Sequence, residues 1–463
     1  MTDPRPHPPQ HGGALRPQPS QHEQALRPHS PQHERAPSAQ PPQRERALSA
    51  IVELIAREGY VDTTVAKITA ASRLSRTTFY EHFKDKQDCF LAAQSRLATR
   101  LRGDVERAVA NGEPGRALAS ALEASVAFAE REPTAFHLLT HEAMIAGPRA
   151  LDARDELMLA IEHTVEQALG AASETEARAD IPTKLVLGGA VRLIGISMRR
   201  AGGTPEPDLA ELPSWLDCYS VPPGEARWRQ VASIPAVPLS AKGPTRPIAP
   251  QPLPRGRHRL SEKVVSAVQR ERILHATAEV VCAEGYAAST VADVAAAAGL
   301  SREMFYALFK DKRDAFLQAQ QLVFEQMIAA SAGAFFTSET TWPERIWEAI
   351  RTTTAWILDQ PTLAHFDFVE AYALGPSDAR RVDENVLAFN VFLEEGYRYR
   401  PQAAELPRLF AEAIAGSVLE LAAFYIRHDR AAETPGLLPL LTYVILAPFT
   451  GASEANELIA RAM

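Results

Sequence analysis

Leu48, Ile51, Val52 and Ile55 recur at the spacing of one helical face, and the run stops at Gly59, a residue free to take the left-handed backbone that ends helices. The apolar pattern restarts twice within a few residues. Thr64 precedes Val65, Ala66 and Ile68, and Ser75 precedes Arg76, Thr77, Thr78, Phe79 and Tyr80; each hydroxyl stands where it can accept from a free amide at a helix start. The second helix is expected to end near Ala71, so the spacing predicts two short helices joined by a tight turn. Asp85, three before Asp88, predicts the cap of a fourth helix, with Phe79 and Phe83 facing a core and Tyr60 folding back on the end of the first helix.

The whole pattern occurs twice. Residues 43–94 and 269–320 align without a gap, and 29 of these 52 positions are identical, among them Glu58-Gly59-Tyr60 with Glu284-Gly285-Tyr286. The correspondence continues beyond the helical motif at a spacing of 228, pairing Pro133, Glu142, Ala143, Gly147, Pro148 and Gly188 with Pro361, Glu370, Ala371, Gly375, Pro376 and Gly416. Leu212-Pro213 and Pro222 similarly echo Leu438-Pro439 and Pro448 near the two ends. Repetition over that length makes the chain two whole units fused head to tail.

Glu58-Gly59-Tyr60, Thr64-Val65, the run from Leu74-Ser75-Arg76 through Phe79-Tyr80-Glu81-His82-Phe83, and Lys84-Asp85-Lys86, with their second-copy counterparts, resemble the N-terminal DNA-binding domain of the TetR/AcrR family of bacterial transcriptional regulators. The resemblance implies an all-α chain of two tandem units, each a helix-turn-helix reader followed by a helical ligand-binding and dimerisation domain. The expected divisions are a tail over 1–42, a reader over 43–94, a sensor over 95–222, a linker over 223–265, a second reader over 266–320 and a second sensor over 321–463. It also implies that Thr64, Tyr80 and Lys86, with Thr290, Tyr306 and Lys312, meet the DNA backbone, as their chemistry suits: a helix N-terminus, a phenol and an ammonium are all phosphate donors. Regulators of this kind pair through the last sensor helices, here expected over 185–198 and 409–426, which carry Gly188, Gly189 and Gly416.

Base readout is expected from the third helix, where the copies part company. Beside the capping Ser75 the first offers Arg76, Thr77, Thr78 and His82; beside Ser301 the second offers Arg302, Glu303 and Met304, with Leu308 one turn on. Arg grips guanine bidentately and Thr meets a thymine methyl, while Glu accepts from cytosine but repels phosphate. An asymmetric, pseudo-palindromic operator on double-stranded DNA is therefore expected. Arg73 stands where the second copy has Gly299, so the first turn is expected to be either strained, a side chain on a left-handed backbone costing roughly 1 kcal/mol, or differently shaped.

Charge adds little to this attraction. The net charge is −8; the first reader has eight Lys/Arg against seven Asp/Glu, and the second has six against seven. Three cysteines (Cys89, Cys218, Cys282), far apart and in no metal-ligand spacing, suit a reducing compartment, and the apolar run over 437–449 is too short and proline-broken to span a bilayer. The polar start of the chain suggests no secretory signal, so a cytoplasmic, nucleoid-associated protein is expected. The tail, rich in Pro, His, Gln and Ser, is expected to be disordered, as its composition lacks a core. The proline-rich linker has ample reach for half-sites one DNA turn apart, about 35 Å. Its basic end, Arg255, Arg257, His258, Arg259 and Lys263, is expected to be a solvated charge run or a groove-binding arm.

An unidentified, mostly apolar effector is expected to bind the sensors. Trp356, His365, Phe366, Phe368 and Tyr372 are the candidates in the second half, and Phe136, His137, His141 and Met144 in the first, although aromatics at helical spacing equally suit a plain core. His137 and His141 lie four apart on a helix without an evident third ligand, so no metal site and no cofactor is expected. No nucleophile elbow or phosphate loop is present, which speaks against an enzyme. Fusion favours an internal pseudo-dimer through a high effective concentration. A homodimer of fused chains is the alternative assembly, and a scaffold in which only the first reader binds DNA is the alternative function.

Overall fold

The structure, a computed structural model, describes residues 42–171, 179–220 and 260–463, without the side chains of residues 376 and 377. The expected tail lies outside these residues except for Pro42, and so does the expected linker as far as residue 259. Among the described residues the protein is all helix, with one isolated bridge between Ala179 and Ser220. The first half runs α1 (Gln43–Asp62), α2 (Val65–Ser72), α3 (Arg76–His82), α4 (Lys86–Asn111), α5 (Ala117–Arg131), α6 (Pro133–His137), α7 (Pro148–Ala171) and α8 (Thr183–Arg200). The second repeats the order as α9 (Glu262–Glu284), α10 (Val291–Ala297), α11 (Arg302–Leu308), α12 (Lys312–Phe336), α13 (Trp342–Asp359), α14 (Pro361–Phe368), α15 (Pro376–Ala388) and α16 (Arg408–Arg427), followed by α17 (Leu438–Thr450) and α18 (Ala452–Ala462).

Local chemistry explains the starts and stops. Asp85 accepts from the Asp88 amide while Asp88 accepts from the Lys84 amide, so α4 opens on a reciprocal cap, and Asp311 and Asp314 repeat it for α12. Gly285 (φ 78°) ends α9 as expected, but at Gly59 (φ 79°) the chain kinks and carries a further short turn to Asp62. α9 starts at Glu262, capped by Ser261, so residues 262–265, assigned to the linker from composition, are helical. α4 and α12 each carry the chain from reader to sensor without a break, across the expected divisions at 94/95 and 320/321.

Each reader closes on aromatic residues spaced for one face. In the first, Phe79 packs 5.4 Å from Phe83 and Tyr60 edge-on to Phe90 at 5.1 Å; in the second, Phe305 and Phe309 lie 5.6 Å apart and Tyr286 meets Phe316 at 5.0 Å. The sensor halves do not keep separate cores. Leu193 and Ile194 from α8 share one buried cluster with Ile414 from α16 and Tyr443 from α17, and the Tyr219 hydroxyl donates to Val444 O at 2.9 Å.

The crossing of α8 and α16 explains the small residues found there. A Cβ placed on Gly189 would stand 2.9 Å from Ser417 Cα, and one on Gly416 would stand 3.2 Å from Gly189 O, so the two backbones touch where any side chain would hold them apart. α16 and the segment Ala431–Thr450 are long and apolar enough in composition to cross a membrane, but most of their surface is buried in this core.

Gly189→Ala is expected to lower stability by about 1–3 kcal/mol, since Ser417 and its backbone have nowhere to go. Gly333→Ala, exposed in α12 with open space where its Cβ would lie, is expected to raise it by about 0.5–1 kcal/mol. Arg73, which does adopt the left-handed backbone (φ 53°, ψ 42°), gives a third test: Arg73→Gly is expected to gain up to about 1 kcal/mol. Urea unfolding of the full chain measures all three.

Candidate nucleic-acid interface

The turn between second and third helices is built by hydroxyl caps. Thr64 Oγ1 accepts from the Lys67 amide at 3.3 Å to start α2, and Ser75 Oγ accepts from the Thr78 amide at 3.0 Å to start α3. Ser301 does the same for α11 through the Met304 amide at 3.2 Å. Both serines are solvent-exposed with a helix directly behind them. Phe79 and Phe305 anchor the buried face, and this leaves the opposite face of each third helix in solvent.

That face carries Arg76, Thr77, Tyr80 and His82 in the first copy and Arg302, Glu303 and Tyr306 in the second, all exposed; Tyr80 and Tyr306 are more than half exposed. Thr78 and Met304 are turned partly inward, and Thr78 Oγ1 lies 2.9 Å from Ser75 Oγ. Leu308 is half-buried against its own reader. Glu303 is held below the usual carboxylate range by its hydrogen bonds to Ser301 and to its own backbone, so the exposed face of α11 carries an anion.

Lys86 and Lys312 sit differently from the other expected phosphate donors. Lys86 Nζ donates to Tyr60 O at 2.8 Å and lies 3.9 Å above the Tyr60 ring; Lys312 Nζ donates to Tyr286 O at 2.6 Å and Ser289 O at 2.7 Å, above the Tyr286 ring. Each ammonium thereby ties the end of its reader's first helix to the start of the fourth. Burial lowers the pKa of both lysines and pushes the Tyr60 phenol up to about 12, with Asp85 adding to the latter.

One difference between the readers escaped the sequence pattern. Three residues after the capping threonine the first copy has Lys67, whose Nζ reaches Glu58 Oε2 and Asp62 O, both at 2.8 Å. The second has Asp293, whose Oδ2 accepts from the Thr290 amide at 2.9 Å and from the Thr290 hydroxyl at 2.5 Å. A carboxylate thus occupies the Thr290 amide and hydroxyl at the start of α10, whereas the first reader has at this position a cation drawn back onto Glu58 and Asp62 O. The Thr-x-x-Asp spacing of a capping box was the available signal.

The sensor candidates fall into three places. Phe136 and Phe366 are fully buried core, the latter 4.9 Å from Phe316; Trp356 packs between the second reader and its sensor; His365 is half-buried, and its pKa is lowered by burial. Phe368 alone among them lines an apolar cavity of about 70 Å³ in the second half, closed by Ile346, Ile350, Thr353, Phe392 and Leu441. It also joins Tyr372 and Asp367 around a smaller cavity of about 40 Å³ with Arg192 and Gln320, where burial pushes the Asp367 carboxyl up to about 7.

His141, Met144 and Tyr372 come together at the seam between halves, around a void of about 20 Å³. A short π-helical stretch, Leu138–Glu142, brings Glu142 to 3.3 Å from His137 Nε2, while its other oxygen accepts from the Tyr60 amide at 2.8 Å. Ligand atoms of His137, His141 and Glu142 lie within 4.8 Å of one another, so a third potential ligand does exist. The Arg199 guanidinium, 3.5 Å from His141 Nδ1, opposes a divalent cation at close range, and burial followed by Arg199 and His137 holds His141 neutral. The cluster therefore works as a polar link from reader to sensor.

Comparisons with known proteins fit these geometries. The family described as bacterial regulatory proteins, tetR family, matches residues 47–93 and again 273–319. No curated protein matches the chain. Among solved structures, a fatty acid degradation regulator, FadR, from Bacillus halodurans is 20% identical with a TM-score of 0.35, covering 38% of this chain and 97% of its own. A TetR family transcription regulator from Marinobacter aquaeolei VT8 is 19% identical (TM-score 0.31; 44% of this chain, 98% of its own), and a TetR-like regulator from Rhodococcus sp. RHA1 is 18% identical (TM-score 0.32; 40% and 97%). The two matched segments run from α1 into α4 and from α9 into α12, and the chain accordingly carries the N-terminal domain of the tetR family of bacterial regulatory proteins twice in tandem.

Proposed function

We propose that this chain is a ligand-responsive repressor that reads one asymmetric, pseudo-palindromic operator with its two fused readers. The observation that carries the reading is the pair of third helices, each hydroxyl-capped, each anchored by a buried phenylalanine, and each offering a different set of exposed side chains. Arg76, Thr77, Thr78 and His82 would read bases in the first half-site, and Arg302, Glu303 and Met304 in the second. Thr64, Ser75, Tyr80, Thr290, Ser301 and Tyr306 would hold the backbone, with Lys86 and Lys312 joining them by leaving their carbonyl partners. Such a protein acts in the cytoplasm at the nucleoid, and it binds rather than catalyses.

The two halves would form an internal pseudo-dimer through α8 and α16, so that one chain presents two readers. The effector is a small, mostly apolar molecule taken up beside Phe368 in the second half, where the largely apolar cavity already exists. Its binding would favour a spacing of the readers that no longer fits the duplex, which requires tighter binding to one spacing than to the other. A second reading has a specific observation behind it: Asp293 and Glu303 both place carboxylates on the DNA-facing side of the second reader, and in that reading the second half serves as a pairing partner only.

Gel shifts separate the two. Tyr80→Ala with Lys86→Ala, and Tyr306→Ala with Lys312→Ala, are each expected to weaken operator binding at least tenfold, the first pair more; loss confined to the first pair would favour the second reading. Selection from random DNA is expected to return unlike half-sites, and perfect palindromes would overturn the asymmetric operator. In solution the mass is expected to be that of one chain at all concentrations; a persistent species of twice that mass would replace the internal pseudo-dimer by a dimer of fused chains.

A further inference from the structure

The seam between the halves records which pairs of halves it accepts. At the repeat spacing of 228, Gly189 corresponds to Ser417, and these two residues meet each other, which places the helix crossing on a local two-fold axis relating the halves. Interactions away from such an axis occur twice. Arg199 holds Asp383 with two hydrogen bonds of 2.7 Å, and its counterpart Arg427 holds Asp155, the counterpart of Asp383, as well as Asp152 at 2.9 Å. Both halves carry the arginine and the aspartate, so this pair of bridges would survive whichever two halves met.

On the axis the situation differs. Arg192 and Glu420 are counterparts, and they face each other: Arg192 Nη2 and Nε donate to Glu420 Oε2 at 2.8 and 3.1 Å, and Arg154 donates to the other oxygen. Gly188 makes the space, since a Cβ there would stand 2.8 Å from Glu420 Cγ. Two first halves would set Arg192 against Arg192, and two second halves Glu420 against Glu420, in each case buried and without the opposite charge. Burial alone would raise the Glu420 carboxyl, but Arg154 and Arg192 outweigh it and hold it at about 2. A second contact has the same polarity. Arg200 donates to Glu412 at 3.1 Å, whereas the counterpart of Glu412 is Lys184, so two first halves would set Arg200 against Lys184.

We propose that Arg192 and Glu420 form a charge lock that lets a first half pair only with a second half. The device deepens the internal pseudo-dimer reading and rests on it. Like-charge juxtaposition is the repulsive element that pairing specificity requires, and the duplicated Arg–Asp bridges alone would not supply it. The partner this seam fits is therefore a half of opposite charge at the axis, and the duplicated chain has diverged into two unlike subunits carried on one polypeptide.

Charge exchange in the full chain tests this. Arg192→Glu and Glu420→Arg are each expected to lower the urea midpoint, and the double variant carrying both is expected to recover more than half of the loss, which mere structural damage would not permit. A double variant no more stable than the worse single, or a single as stable as the parent, would overturn the lock. A protease site placed within residues 221–259 adds a second measurement: after cleavage of the folded protein, native mass spectrometry is expected to find one first half with one second half in every complex. Complexes of two first or two second halves in comparable amount would also overturn it. Failure of operator binding leaves both readouts unchanged, so the lock and the DNA-binding reading fail separately.

Discussion

The backbone contact between Gly189 and Ser417 sets the geometry on which the seam depends. Two helices this close bury whatever side chains flank the crossing, and here those are charged: Arg192 and Glu420 beside it, with Arg199 two turns further along α8 paired to Asp383 of α15. Removing such groups from water is costly unless each finds a partner in good geometry. The glycines draw the helices together, and that closeness obliges Arg192, Arg154 and Glu420 to satisfy one another. A wider crossing would let water reach the charges and would relax the demand for matched partners.

What the sequence revealed depended on whether a feature was local. Thr64, Ser75, Asp85 and their counterparts announce helix starts because a cap involves only residues three or four apart. Phe79 and Phe305 fell on the buried face for the same reason, and it was the family resemblance, not any local signal, that pointed to α8 and α16. The destinations of long side chains were not legible. Nothing near Lys86 in sequence says that its ammonium ends on Tyr60 O, and nothing near Glu142 points to the Tyr60 amide 82 positions earlier. Effector candidates suffered in the same way: Phe366 and Phe136 have the spacing of pocket residues, yet neighbouring helices fill the space around them, while the cavity opens beside Thr353 and Ile350, which carry no distinctive signal.

The readers also illustrate how duplicated sequences diverge unequally. Buried positions and caps stayed alike, since α1 to α4 and α9 to α12 must fold in the same way. Lys67 and Asp293, by contrast, sit at one position with opposite charge, and the carboxylate turns a donor-rich helix start into a satisfied one. The Tyr60 to Glu142 hydrogen bond further gives the first reader a polar tie to its sensor, next to the seam.

α4 and α12 pass unbroken from reader into sensor over 26 and 25 residues. At about 1.5 Å of rise per residue each is a rod nearly 40 Å long, so a tilt of only about 5° at one end carries the other through about 3 Å, close to the spacing of neighbouring base pairs. Small rearrangements deep among the sensor helices would thereby be magnified at the reader ends of α4 and α12 by leverage alone, with no need for any segment to unfold.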